Sequence, residues 1–217
     1  MEAHYSAVKS AGAGGSLRKV LSFLTILWTI SGIGVIVGQF VPPAFILPLI
    51  VVELGLIVAM LFARRAEKMG RLLALSFALI SGVTLYPVLY NYVGLLGGEV
   101  VLGVFVSTAA VFAIYGTVGY SLTKNLSAMG KYLFIALIAI VVVSLFGFFV
   151  PFSSGLSLLI SAAGVLLFSL YTIYDFNQIR HQHITDAMIP LIAVNLYLDF
   201  INLFLHLLRI VAAFTRD

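Results

Sequence analysis

The sequence predicts an all-α integral membrane protein, a bundle of seven transmembrane helices. Three observations carry the prediction. The chain is 62% hydrophobic and only 9% charged, with mean hydropathy +1.17, a balance outside that of a water-facing domain. Its 217 residues hold about seven apolar runs of roughly 20 residues, joined by short connections. Its lysines and arginines gather in alternate connections, as they do in multi-pass proteins. Residues 17–217 are therefore expected to form one seven-helix domain, which leaves the working chemistry inside the membrane. The chain has no cysteine, which excludes disulfides and thiolate metal sites. Its net charge of +4 and pI near 9.4 follow from membrane topology, and nucleic acid is not expected as a partner.

Taken in order, residues 1–16 are rich in small residues and poor in large apolar ones, which predicts a disordered tail. A first span runs from Val20 to about Val41, too long for a signal peptide and without a small-residue cleavage site. It carries Gly34 and Gly38 at the spacing that lets helices approach closely, although glycine is common in membrane helices anyway. Pro42 and Pro43 make a turn, and a second span covers Ala44 to Ala63 with Glu53 near its middle. The third, Leu72 to Tyr92, contains Pro87, which should kink or interrupt it. Spans four to six cover Val100 to Leu122, Tyr132 to Val150 and Leu156 to Ile179. The seventh lies within residues 188–210.

Ten of the twelve lysines and arginines fall on one side of this map: Lys9, Arg18, Lys19, Arg64, Arg65, Lys68, Arg71, Lys124, Lys131 and Arg180. Only Arg209 and Arg216 fall on the other. The positive-inside rule then places the N-terminus in the cytoplasm and, after seven spans, the C-terminus outside. A re-entrant seventh segment would instead return the C-terminus to the cytoplasm.

The seventh span is the unusual one. Asn195, Asp199, Asn202, His206 and Arg209 are spaced 4, 3, 4 and 3 residues apart, so on a helix they share one narrow polar face. Asp175 sits near the end of the preceding span. In an antiparallel hairpin whose connection is centred near residue 185, Asp175 and Asp199 lie within roughly 3 Å of the same depth. Two carboxyls in contact in a low-dielectric setting share one proton and titrate as a pair, which makes them a pH switch.

Each singled-out residue also has a plain structural reading. A buried acid can be satisfied by a neighbouring Asn, Tyr or Arg and merely join helices. For acids at bilayer depth, however, a pathway or relay is the commoner reason for their presence. Asn195, Asn202 and His206 either line a pathway or hydrogen-bond between helices, and Arg209 reaches out to the interface. Arg64 is explained by topology beside Arg65, Lys68 and Arg71, and also has the reach to latch Asp175. His181 and His183 lie on opposite helix faces without a third ligand, so a hydrated connection is preferred to a metal site. Ser153, Ser154 and His206 lack a nucleophile motif for serine hydrolysis. A retinal protein is excluded because the seventh span has no lysine.

The segments YTIYDFNQIRHQH and LYLDFINLFLHLLRI resemble the transmembrane Bax inhibitor motif family, in particular its bacterial YetJ-type members. VGQFVPPAFILPLIVVELGL and SGVTLYPVLYNY add to the likeness, which covers nearly all of the chain beyond residue 16. The resemblance implies a seven-helix bundle with the C-terminal helix central, surrounded by the other six. The polar face of the seventh span agrees, since the middle of a bundle keeps such a face from lipid. The resemblance also implies a pH-sensitive calcium leak in which Asp175 and Asp199 are the paired aspartates, Arg64 their basic latch and Glu53 the acid of the second span.

The expected function is therefore passive, proton-regulated calcium passage, with no enzymatic activity and no resident cofactor. Calcium would be cargo held transiently by Asp175 and Asp199, along a route that includes Glu53. Calcium ions, protons and membrane lipid are the expected partners, a monomer is compatible with all of this, and the bacterial inner membrane is the expected location. Two other readings use the same acids. An intramembrane aspartyl protease also places Tyr-Asp on one span and Asp on the next, but Leu196-Tyr197-Leu198 stands where that class has a glycine-containing motif, and no Pro-Ala-Leu element follows. A proton-coupled transporter of a small solute would also use intramembrane acids, yet the chain shows no obvious internal repeat.

Overall fold

The computed structural model describes residues 2–63, 66–150 and 152–215, without the side chains of residues 2–13, 148 and 149. All regular structure among the described residues is helical. Helix α1 is Glu2–Gly38, α2 Ile46–Phe62, α3 Glu67–Leu96, α4 Gly98–Ser121, α5 Gly130–Phe149, α6 Ser154–His181 and α7 Ile189–Thr215. Short 3-10 turns at Pro43–Phe45, Ser127–Met129 and Asp186–Met188 lead into α2, α5 and α7. Each of the seven long helices is long and apolar enough to cross a membrane.

The helical backbone of α1 begins at Glu2. Ala3, Ala7, Ala11 and Ala13 favour helix, and a helix meets its own backbone hydrogen bonds without needing a core. Pro87 does not interrupt α3, which continues for nine residues beyond it. The proline leaves the Val83 carbonyl without its usual partner, and a β-carbon at Gly38 would stand 2.9 Å from that oxygen, so α1 approaches closely there. Finally, α3 and α4 are separated by Gly97 alone, whose φ of 85° is open to glycine and strained for other residues.

Contacts divide the chain into two units. The first runs to Asn91 and takes in Gln182–Tyr197, so it contains α1, α2, most of α3 and the start of α7. Here α1 and α3 meet backbone to backbone. A β-carbon on Gly34 would collide with the Leu79 carbonyl oxygen, and one on Gly82 with the Ser31 carbonyl oxygen. The Gly34 spacing is thus a packing device and not only compositional enrichment. A β-carbon on Gly70 of α3 would stand 3.5 Å from Pro190 of α7, and Phe77 meets Tyr197 edge to face at 5.8 Å. On the surface, Lys19 pairs with Asp186 at 2.7 Å and ties the start of the α7 hairpin arm to α1.

The second unit comprises Tyr92–His181 and the chain from Leu198 onward. Its centre is aromatic: Phe112 packs edge to face on Phe176 and Phe200, and Phe105 does the same on Phe200 and Phe204. Helices α4 and α6 come together at Gly116, which faces the Phe176 ring, and at Gly119, which faces the Ile173 backbone. In α7, 56% of the span is buried, against 6% for α2 and α5. Ala193, Val194, Leu196, Tyr197, Phe200, Leu203, Phe204 and Leu208 are all buried. Their burial covers most of the helix circumference within each unit, while Asn195 and Arg209 stay exposed. Its 27 residues run unbroken for about 40 Å, more than a hydrocarbon core of about 30 Å, so nothing in its backbone marks a re-entrant turn.

Candidate functional site: the acidic pair of α6 and α7

The site begins with the α6–α7 hairpin. His206 lies with its ring across the Cα of Gly164 and stacks on Phe168 at 5.8 Å between centroids, which pins the register of α7 against α6. Asp175 follows Phe168 by seven residues and Asp199 precedes His206 by seven, so antiparallel helices in this register bring the two acids level. They are electrostatic neighbours. Tyr171, one turn before Asp175, lies in the field of both, and Tyr174 in that of Asp175. Asp199 is 4% exposed and Asp175 half-buried. Oδ2 of Asp199 is buried and has no hydrogen-bond partner among the described residues. A carboxyl in that position is a ready acceptor or donor for a proton, a water or a cation, because each would relieve its unmet bonding capacity.

The other predicted site residues separate into different settings. Glu53 on α2 is half-buried and accepts a hydrogen bond from Thr84 Oγ1 at 3.0 Å. Ser81 and Tyr197 are also near it, and Tyr197 Oη in turn lies 2.7 Å from Ser31 Oγ. Glu53 therefore sits in a polar cluster of the first unit, whereas the aspartates belong to the second. Arg64 lies outside the described residues. Asn202 donates to the Leu198 carbonyl of its own helix at 2.8 Å, which is a structural use of the amide. Asn195 is exposed, so the upper end of the polar stripe is not enclosed. His206 is 7% exposed, with Nδ1 lacking a partner among the described residues. Arg209 is exposed and borders a cavity of about 510 Å³ that Tyr92, Phe152, Ser154, Ser157 and Leu158 help to line. No cluster of three or more His, Cys, Asp or Glu side chains is found among the described residues.

Comparison with known proteins decides the family. The family described as "Inhibitor of apoptosis-promoting Bax1" matches residues 14–216. The chain belongs to that family. An uncharacterized protein of Campylobacter jejuni is 38% identical over 190 residues, covering 84% of this chain and 81% of its own. One from Deinococcus radiodurans is 35% identical, covering 76% and 73%. A Vaccinia virus relative named Golgi anti-apoptotic protein is 33% identical, covering 77% and 68%. This member of the Bax1 inhibitor family is a multi-pass membrane protein, as its seven apolar helices require.

Several residues of this family member escaped sequence reasoning. Asn177, in YDFNQIRH, is fully buried and works in both directions: Nδ2 donates to the carbonyls of Gly119, Leu122 and Lys124, and Oδ1 accepts from the Leu126 amide at 2.9 Å. Arg180 donates to the Tyr120 and Ser121 carbonyls at 2.6 and 2.8 Å. His181 also engages carbonyls and is not in a hydrated connection. The signal for all three was their density at a helix end, since side chains that follow an apolar run so closely are placed to meet the orphan carbonyls of a neighbouring helix.

Proposed function

We propose that this protein lets calcium ions pass down their gradient across the membrane, and that the Asp175–Asp199 pair controls the passage through its proton. The observation that carries this reading is the placement of the two acids level with each other on α6 and α7, with Asp199 almost wholly removed from solvent. Paired acids in such a setting exchange a proton as a unit, so their combined charge steps with pH. Their oxygens suit a hard divalent cation, which is bound as cargo when the pair gives up its proton. Family membership and the resemblance of both aspartate motifs support the same reading. Glu53 is a third acid along the route, and Arg64 is the basic latch of the closed state. The reaction is transport without catalysis, in a bacterial inner membrane, with the N-terminus in the cytoplasm as the distribution of basic residues favours.

The test uses liposomes loaded with a calcium dye. Flux through wild type should change with pH, and Asp199→Asn should remove that change. Equal, pH-independent flux in both proteins would sink the proposal. Cleavage of a membrane substrate that disappears in Asp175→Asn would replace it with the protease reading.

A further inference from the structure

The end of α6 is fastened to the connection between α4 and α5, and His181 is its last fastening. His181 Nδ1 lies 2.9 Å from the Asn177 carbonyl oxygen, and Nε2 lies 2.9 Å from the Thr123 carbonyl oxygen. Both partners are carbonyls, which only accept. A neutral imidazole has one N–H, so it satisfies one of these contacts and turns a lone pair toward the other oxygen. Only the imidazolium donates to both. The two carbonyls also lie at or just beyond the C-terminal ends of α6 and α4, where helix dipoles favour a cation.

We infer that His181 is a proton-dependent clasp: with both nitrogens protonated it joins α6 to the α4–α5 connection, and on losing one proton it releases one side. The charged and titratable groups on the elements around it define the charge balance. Arg180 precedes it on α6, with its guanidinium 6.0 Å from the Tyr120 ring centre on α4. Lys124 is in the connection itself. Lys131 opens α5 and stands 4.9 Å over the Tyr132 ring. Tyr174 of α6 abuts Gly130 at the start of α5, and Asp175 precedes His181 by six residues. Within α6 and these neighbours the bases oppose a further positive charge and the carbonyl ends favour it. No carboxylate forms an ion pair with His181 among the described residues. The fastened segment includes Leu126, whose amide is held by Asn177, and Ser127, whose hydroxyl donates to Gln178 Oε1 at 2.9 Å. Loss of the Nε2 proton releases Thr123 and loosens one end of this strip. The inference is independent of calcium passage, because the clasp is read on the protein's own amides.

The experiment is amide hydrogen exchange on the full chain in lipid nanodiscs, followed over residues 122–128 at about pH 5.5 and about pH 8. After correction for intrinsic exchange, the acid sample should be about threefold to tenfold more protected, the effect of one net hydrogen bond. His181→Gln should lose that dependence, and His181→Arg should stay protected at both values. A parallel nitrogen NMR titration of the wild-type ring, labelled at histidine, keeps the test sound if a variant misfolds. Two protonated ring nitrogens at the acid end, with deprotonation in step with the loss of protection, would support the clasp. Equal protection of wild type at both values, retention of the dependence in His181→Gln, or a ring that stays neutral throughout would overturn it.

Discussion

His206 rests its imidazole on the Cα of Gly164, so a side chain at position 164 would occupy the space of the ring. This contact sets the height of α7 against α6 and thereby brings Asp199 level with Asp175. Gly164→Ala should therefore cost about 1–3 kcal/mol of stability through overpacking. In a double-mutant cycle with His206→Ala, the second change should recover part of that loss, by about 0.5–3 kcal/mol. Unfolding of the four proteins in one detergent measures the coupling, and strict additivity would show that the ring moves aside freely.

Gly82 and Gly94 lie on the same helix and make opposite predictions. A β-carbon at Gly82 meets the backbone of α1, which has no rotamer to give, whereas one at Gly94 meets nothing within 4 Å. Gly82→Ala should lower the unfolding midpoint and Gly94→Ala should leave it unchanged or raise it slightly, since alanine favours helix by about 1 kcal/mol over glycine. Thermal unfolding monitored by tryptophan fluorescence or circular dichroism separates them.

Tyr197 and Ser31 form a buried hydroxyl pair between α7 and α1. Tyr197→Phe should destabilise by about 0.6–1.5 kcal/mol, the range for a single hydrogen bond in such a setting. Ser31→Ala added to it should cost little more, because the hydroxyl left behind has already lost its partner. Two independent, additive losses would mean that each group has another use.

Asn177 is the most heavily bonded side chain at the end of α6. Asn177→Leu should cost about 1–3 kcal/mol, since it strands the Leu126 amide and removes the donor shared by three carbonyls. Asn177→Asp should be worse than Asn177→Leu above neutral pH and should recover on acidification, because an ionised carboxylate would face carbonyl oxygens. Stability measured against pH for the two variants gives the comparison.

Transport should separate the two units' acids. Asp199→Asn should abolish the pH response of calcium flux, whereas Thr84→Val, which removes the hydroxyl donor to Glu53, should alter the rate while leaving the pH response in place. Loss of the pH response in Thr84→Val would make Glu53 part of the sensor.

How far the site was legible depends on which residues are considered. Asp175 and Asp199 could be paired from helix periodicity and hairpin length alone, since rise per residue translates sequence distance into depth. The contact of His206 with Gly164 and Phe168 then sharpened the register. The polar stripe of α7 proved less uniform than its spacing implied. Asp199 and His206 are buried, Asn202 turns to its own backbone, and Asn195 and Arg209 are exposed. Periodicity orders side chains around a helix but does not say where neighbouring helices stop covering it.

The seven apolar spans and the acids within them were legible in the sequence, because transfer into lipid depends on local composition and on helix length. Only the tertiary structure decided that Gly34 and Gly82 are contact points, that Glu53 is engaged by Thr84, and that His181 faces two carbonyls. Those facts depend on which helices touch and at what height, and the packing of side chains against distant backbone is set by the whole fold and not by any one stretch of it.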